Sequence, residues 1–211
     1  TAMINTGSLY APKDKAGLGS VLSECLIKGG TKTRTGSAIE ERLDFLGGTI
    51  NFSVGERTAT LSMSILSKDL DEGLDIFFDL LMNPEFREDS LKLAKGKIIE
   101  QMRGANDNPS LVLSREFEKV LYGDCPLTYQ ATKATVESIN QADLKAFHKK
   151  YFFPKNIILA GAGDFNRNQL RTKINKYASK WANQPLSFPE TAKTFPQPEP
   201  GVYFVQKKIN Q

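Results

Sequence analysis

Ser20, Ser23, Glu24 and Lys28 are the polar side chains of residues 17–30, "GLGSVLSECLIKGG". At helical spacing Leu18, Val21, Leu22, Cys25 and Leu26 share one apolar face and leave those four on the other side. Serine and glutamate one turn apart admit three readings: catalysis, a grip on a ligand, or a face that meets water. A serine nucleophile needs a base within hydrogen-bond reach and an oxyanion hole. Lys28 stands two helical turns from Ser20, too far along the axis to be that base. The one histidine, His148 in "LKAFHKKYF", reads as a surface residue beside Lys149 and Lys150. No group of His, Cys and carboxylates has the spacing of a zinc site. Cys25 and Cys125 either pair in an oxidising compartment or remain buried thiols, and the place of Cys25 on the apolar face favours the second.

The elements that must position these residues follow from punctuation and period. "AMINTGSLY" reads as a strand running into a turn at Pro12–Lys15. After the opening helix, Ser37 is expected to cap a helix lined by Ile39, Leu43 and Leu46 and closed by Gly47–Gly48. Ile50, Phe52 and Val54, then Ala59, Leu61, Met63 and Ile65, alternate about the break at "GER" and predict a hairpin of two half-buried strands. Three long helical stretches follow over 68–83, 87–107 and 109–123, with Pro109 placed for a first helical turn. "TVESINQADLKAFHKKYF" gives a turn of helix and then a second helix starting near Asn140 or Gln141. "KNIILAGAGDF" reads as a buried strand, and Leu170, Ile174 and Tyr177 form the inward side of a last amphipathic helix. Helices and strands alternate without βαβ spacing, which predicts an α+β fold with an antiparallel sheet packed with helices.

Composition narrows the function classes. The chain has 211 residues, a net charge of +4 and no block of five like charges, so nucleic acid is a poor fit. Its longest apolar runs, 74–82 and 156–163, are far too short to cross a bilayer. "GLG" and "GAG" lack the third glycine of a dinucleotide fingerprint, and "NFS" at 51–53 lies within a predicted strand. The acidic pairs at Glu40–Glu41 and Asp69–Glu72 read as solvated helix faces. Five of the ten prolines fall between Pro185 and Pro200, which marks that stretch as an extended linker. The expected organisation is therefore one domain over 1–184, a linker over 185–200, and the first strand of a truncated second domain over 201–211. Because the first residue is Thr1, the chain is expected to have been processed or excised, and a targeting segment with it.

Four phrases together resemble the pitrilysin or insulinase family of zinc peptidases, in particular the short two-domain branch that includes mitochondrial processing peptidase. They are "NTGSLYAPKDKAGLGSVLSECLIKGG", "SAIEERLDFLGGTINFSVGERTATLSMSILSKDLDEGLDIFFDLLMNPEF", "KGKIIEQMRGANDNP" and "ATVESINQADLKAFHKKYFFPKNIILAGAGDF". Active members carry an inverted motif, His-x-x-Glu-His, whose histidines bind zinc while the glutamate is the general base. Laid along that motif, this chain has Ser20 at the first histidine, Ser23 at the base and Glu24 at the second histidine. The family's third ligand, a glutamate on a later helix, falls on Gln101, and its supporting glutamate on Ala94.

The resemblance therefore implies a pseudo-peptidase: no catalytic residue, no metal and no cofactor of its own, with zinc expected in a partner chain. It implies a heterodimer with a zinc-bearing homologue, closing around an extended peptide that adds to a sheet edge. A purely structural module, like the core proteins of a respiratory complex, is the alternative, and a peptidase with an unrecognised site is a second. Exported bacterial members of the branch make the periplasm the expected compartment.

Overall fold

A computed structural model provides the structure and describes residues 1–185, 187–188 and 197–206. Among these residues there are eight α-helices and four strands, with several short 3-10 turns. The strands are β1 (Ala2–Ile4), β2 (Thr49–Val54), β3 (Ala59–Ser64) and β4 (Ile157–Leu159), and they form one antiparallel sheet in the order β2-β3-β1-β4. The predicted α+β class with an antiparallel sheet is what forms. Met3 lies between Thr60 on β3 and Ile158 on β4. Strand alternation sends Ala2, Ile4, Ile50, Ala59 and Leu61 into the core, while Met3 and Ile158 face outward, 45% and 70% exposed. One face of the sheet is thus covered by helices and the other is open.

The helices are α1 (Leu18–Lys28), α2 (Gly36–Leu46), α3 (Leu70–Met82), α4 (Glu88–Asp107), α5 (Pro109–Tyr122), α6 (Lys133–Ser138), α7 (Gln141–Tyr151) and α8 (Arg167–Ala178). Apolar period decides what each buries. On α1 the predicted stripe of Leu18, Val21, Leu22, Cys25 and Leu26 is buried throughout. α1 packs on β2 on one side and on α4 on the other. The chain leaves α1 through Gly30 at φ +65°, where an added Cβ would lie 2.5 Å from the Arg34 carbonyl and 2.6 Å from the Arg87 guanidinium. That corner admits only glycine.

Two polar anchors hold the turn after α1. Arg87 donates to the carbonyls of Gly29 at 2.6 Å and Thr31 at 2.8 Å. Asp79 on α3 accepts from Thr31 Oγ1 at 2.6 Å, Thr33 Oγ1 at 2.7 Å, Asn83 at 3.0 Å and Arg34 at 3.1 Å. Burial pushes the Asp79 carboxyl up, but the donors Thr31, Thr33, Asn83 and Arg34 outweigh it and hold its pKa below the usual range.

Several expectations are corrected. Thr35, not Ser37, caps α2, accepting from the Ala38 amide at 3.2 Å, because the helix starts one residue before Ser37. The start expected near Asn140 or Gln141 is as observed: α7 begins at Gln141 and Asn140 caps it, in a capping box with Asp143. β4 is not a buried strand: it is last in the sheet and pairs only with β1, so Ile158 and Leu159 stay exposed. Among the described residues Gly201–Gln206 form no strand, and Val202 and Phe204 are 99% and 86% exposed. The rest of that expected strand, 207–211, and most of the expected linker lie outside the described residues.

His148 is the largest correction. It is a core residue, 8% exposed, with its ring against Phe86 and Phe152 and its Nε2 donating to the Leu81 carbonyl at 2.9 Å. It sits on the buried side of α7 together with Leu144 and Tyr151, a periodicity that its lysine neighbours mask. Burial lowers its pKa to about 4, only partly offset by the bond to Leu81. Because the folded value lies below the unfolded one, the unfolded chain takes up the proton first, and stability falls as pH drops from about 6.5 to about 4. Over that window the wild type is expected to lose about 3 kcal/mol relative to His148→Gln, which keeps an amide donor for Leu81. Denaturant melts at stepped pH check this; parallel profiles for the two proteins would contradict it.

Candidate functional site

The face that the sequence singles out forms at the seam between α1, β2 and α4. Glu24 projects from α1 with its side chain 22% exposed, and Lys97 of α4 reaches across to it. The Lys97 ammonium donates to both carboxylate oxygens of Glu24, each at 2.7 Å. Ser23, half-buried on the same helix, donates its hydroxyl to the Phe52 carbonyl of β2 at 3.3 Å. Ser20 lies one turn back and faces solvent.

On α4 the matching positions repeat at helical spacing. Ala94 is buried against the core and Gln101 is exposed two turns later. Lys97 stands three residues after Ala94 and four before Gln101, so all three share the side of α4 turned toward α1. Of the positions predicted from sequence, Glu24 is joined across the seam to α4 by Lys97 and Ser23 to β2, while Ala94 is buried on α4 and Ser20 and Gln101 are exposed on their helices. Lys97 is the residue that sequence reasoning missed. Its place between Ala94 and Gln101 on one helical face was the available signal.

Chemically the seam holds a closed ion pair. A catalytic zinc takes about three protein ligands plus an open position for water. Of the positions that the resemblance marks, the anionic donor is Glu24, and both its oxygens are occupied by a cation that would also repel a divalent ion. Ser20 and Gln101 are neutral oxygen donors with poor affinity for zinc, and Ala94 offers none. Glu100 turns away and pairs with Arg103 at 2.9 Å. Among the described residues no group of three His, Cys, Asp or Glu side chains is arranged to hold a metal. The residues present do not fit a catalytic zinc.

A serine-nucleophile reading fares no better. Ser23 spends its proton on a backbone carbonyl, and among the described residues no titratable side chain hydrogen-bonds Ser20 or Ser23. The cysteines contribute no reactive thiol at the seam: both are free and buried. Cys25, on α1 beside Glu24, has its pKa pushed up to about 12, first by burial and then by Asp89, Glu24 and Glu88.

Comparison with known proteins places this geometry. The model of the family "Insulinase (Peptidase family M16)" matches residues 2–135, and that of "Peptidase M16 inactive domain" matches 138–211. An uncharacterized zinc protease of Rickettsia bellii is 28% identical over 166 residues, 78% of this chain and 40% of that protein. A probable mitochondrial-processing peptidase subunit beta of Arabidopsis thaliana is 23% identical over 186 residues, 87% of this chain and 35% of that one. The chain thus spans about two fifths of the length of the curated relatives it matches. In fold it is similar to the crystal structure of a protease from Helicobacter pylori, with a TM-score of 0.79, 20% identity, and coverage of 92% of this chain and 48% of that one. It is similar also to a peptidase M16 inactive domain from Pseudomonas fluorescens, with a TM-score of 0.73, 24% identity, and coverage of 93% and 47%. With the first of these family models covering residues 2–135, well over half of the sequence, the chain belongs to peptidase family M16, the insulinase family.

Proposed function

We propose that this chain is a non-catalytic, peptidase-like module that binds extended peptide and works beside a zinc-bearing homologue. The observation that carries this reading is the Glu24–Lys97 ion pair: where the family resemblance puts metal ligands on α1 and α4, an ammonium bridges the two helices instead. In this reading a lysine, rather than a metal, joins the two helices at those positions. Ser23, at the position of the base, cannot take a proton from water as a glutamate does. Partnership is supported by the name of the Arabidopsis relative, a subunit of a processing peptidase. β2, the outermost strand beside α1, offers an edge to which an extended peptide can add by backbone hydrogen bonds.

The domain division belongs to the same proposal. The module ends near residue 184, followed by a linker over 185–200 and a homologous second unit that starts at 201. In support, β4 pairs with β1 and Tyr177 of α8 stacks on Phe78 of α3 at 4.5 Å, so the unit that holds the seam continues through α8. The match of the inactive-domain model from residue 138 thus begins inside this packed unit. The bacterial periplasm remains the proposed compartment, and fractionation of the source cells checks it.

Two experiments test the reading. Restoring ligands in the combination Ser20→His, Glu24→His and Gln101→Glu, with Lys97→Ala to clear the seam, is expected to create binding of one zinc per chain. A folded variant that takes up no zinc would show that these positions are not the lost ligand set. Second, tagged full-length protein isolated from its own cells is expected to bring down a homologue bearing an intact His-x-x-Glu-His motif. Isolation of the protein free of any such homologue would sink the partnership.

A further inference from the structure

After α8 the chain runs against the C-terminal end of α7 and is fastened there by side chains. Asn183 accepts from the Lys155 amide at 2.9 Å through its Oδ1, and the Gln184 amide donates to the Lys149 carbonyl. Phe188 follows, its ring 5.0 Å from that of Tyr10 and 5.9 Å from that of Tyr151, and within 17° of parallel to the second. Tyr10 and Tyr151 are themselves 5.7 Å apart, and Phe147, one turn earlier on α7, stands 4.8 Å from Tyr151. Phe188 thus occupies an aromatic site built by the turn Ser8–Tyr10 and by α7.

Two observations mark this contact as one that can open. Among the described residues after Trp181 there is no backbone–backbone hydrogen bond, so side chains hold the strap. Pro185, within it, has no amide to give. Segments fastened by so few bonds open at the least cost. The second observation is chemical. Tyr151 is 1% exposed, and among the described residues its hydroxyl oxygen has no hydrogen-bond partner. A buried phenol in that state bears the cost of its lost hydration. Phe188 brings a ring to the site but no oxygen or nitrogen acceptor. Ring contact therefore favours the closed strap and the stranded hydroxyl opposes it. A ligand with both an aromatic ring and an acceptor would satisfy the site better than Phe188 does.

We propose that Phe188 is a displaceable latch on a site for an aromatic side chain. The partner that displaces it is an extended peptide, which carries the ring on a backbone whose carbonyls can accept from the Tyr151 hydroxyl. Phe188 itself sits in an extended, proline-bearing stretch, “NQPLSFPE”, so the occupant already in place is of the same chemical kind. The inference rests on the peptide-binding reading above and gives it a side-chain preference. It uses none of the seam residues and does not use the edge of β2, where backbone bonds would take a peptide whatever its side chains.

Trp181, half-buried where the strap begins and the one tryptophan of the chain, reports the strap by its fluorescence. Titration of the 211-residue chain with acetyl-Ala-Phe-Ala-amide is expected to give a saturable red shift, and acetyl-Ala-Ala-Ala-amide none. Phe188→Ala removes the competitor, so the chain stays folded and binds the phenylalanine peptide about tenfold more tightly. In that background Tyr151→Phe, which keeps the ring and removes the hydroxyl, weakens binding by roughly threefold to tenfold. Equal binding of the two peptides would overturn the aromatic site and leave the peptide-binding reading standing. No binding of either, or an affinity unmoved by Phe188→Ala, would overturn the latch. So would unfolding of Phe188→Ala by circular dichroism, since Phe188 would then be part of the core.

Discussion

Everything at the seam depends on how closely α1 and α4 approach. α1 has one continuous apolar stripe, and it must be covered by both β2 and α4 for Val21, Leu22, Cys25 and Leu26 to be fully buried. Burial on that scale contributes about 1.5–3 kcal/mol for each large side chain, far more than any polar contact nearby. The Glu24–Lys97 pair, with Lys97 half exposed, adds on the order of 1 kcal/mol or less. Packing therefore brings the two helices together, and the ion pair only closes the polar rim of a contact that exists already. The α1–α4 contact thus does not depend on a metal. In a small domain whose elements met only through ligands, removing the metal would remove the fold; here an apolar core brings the elements together.

The turn after α1 is held in a different way. Gly30, Arg87 and Asp79 fix residues 29–35 by backbone shape and hydrogen bonds, so the start of α2 and the end of α1 keep a constant relation. Rigid placement of α1 at both ends, by this turn and by its packing on β2, keeps Ser23 within reach of the Phe52 carbonyl. The result is an ordered polar face on which the Glu24 carboxylate is held by Lys97 and the Ser23 hydroxyl by the Phe52 carbonyl. An ordered face beside the edge strand β2 suits the binding role proposed for the chain.

Much of this was legible in the sequence. The stripes of α1, α3 and α8, the hairpin of β2 and β3 and the glycine closure of α2 came from period and punctuation, because local sterics and burial act over a few residues. The set Ser20, Ser23, Glu24, Ala94 and Gln101 came from family resemblance; the fold joins Glu24 to α4 through Lys97 and leaves Ser20 and Gln101 exposed. What was hidden depends on contacts distant in the chain. Lys97 gains its meaning only from Glu24, which is 73 residues away. His148 looked exposed beside two lysines, yet its side of α7 meets Leu81 of α3. β4 read as buried from its apolar run because sheet order, which leaves it on the edge, is not a local property.

The central claim is that the seam carries an ammonium in place of a metal. Elemental analysis of the purified, zinc-supplemented chain, alongside a calorimetric zinc titration, tests it most directly. The account predicts far less than one zinc per chain and no saturable binding heat at micromolar protein. One tightly held zinc per chain, lost on Glu24→Ala, would contradict it and return the seam to the ranks of metal sites.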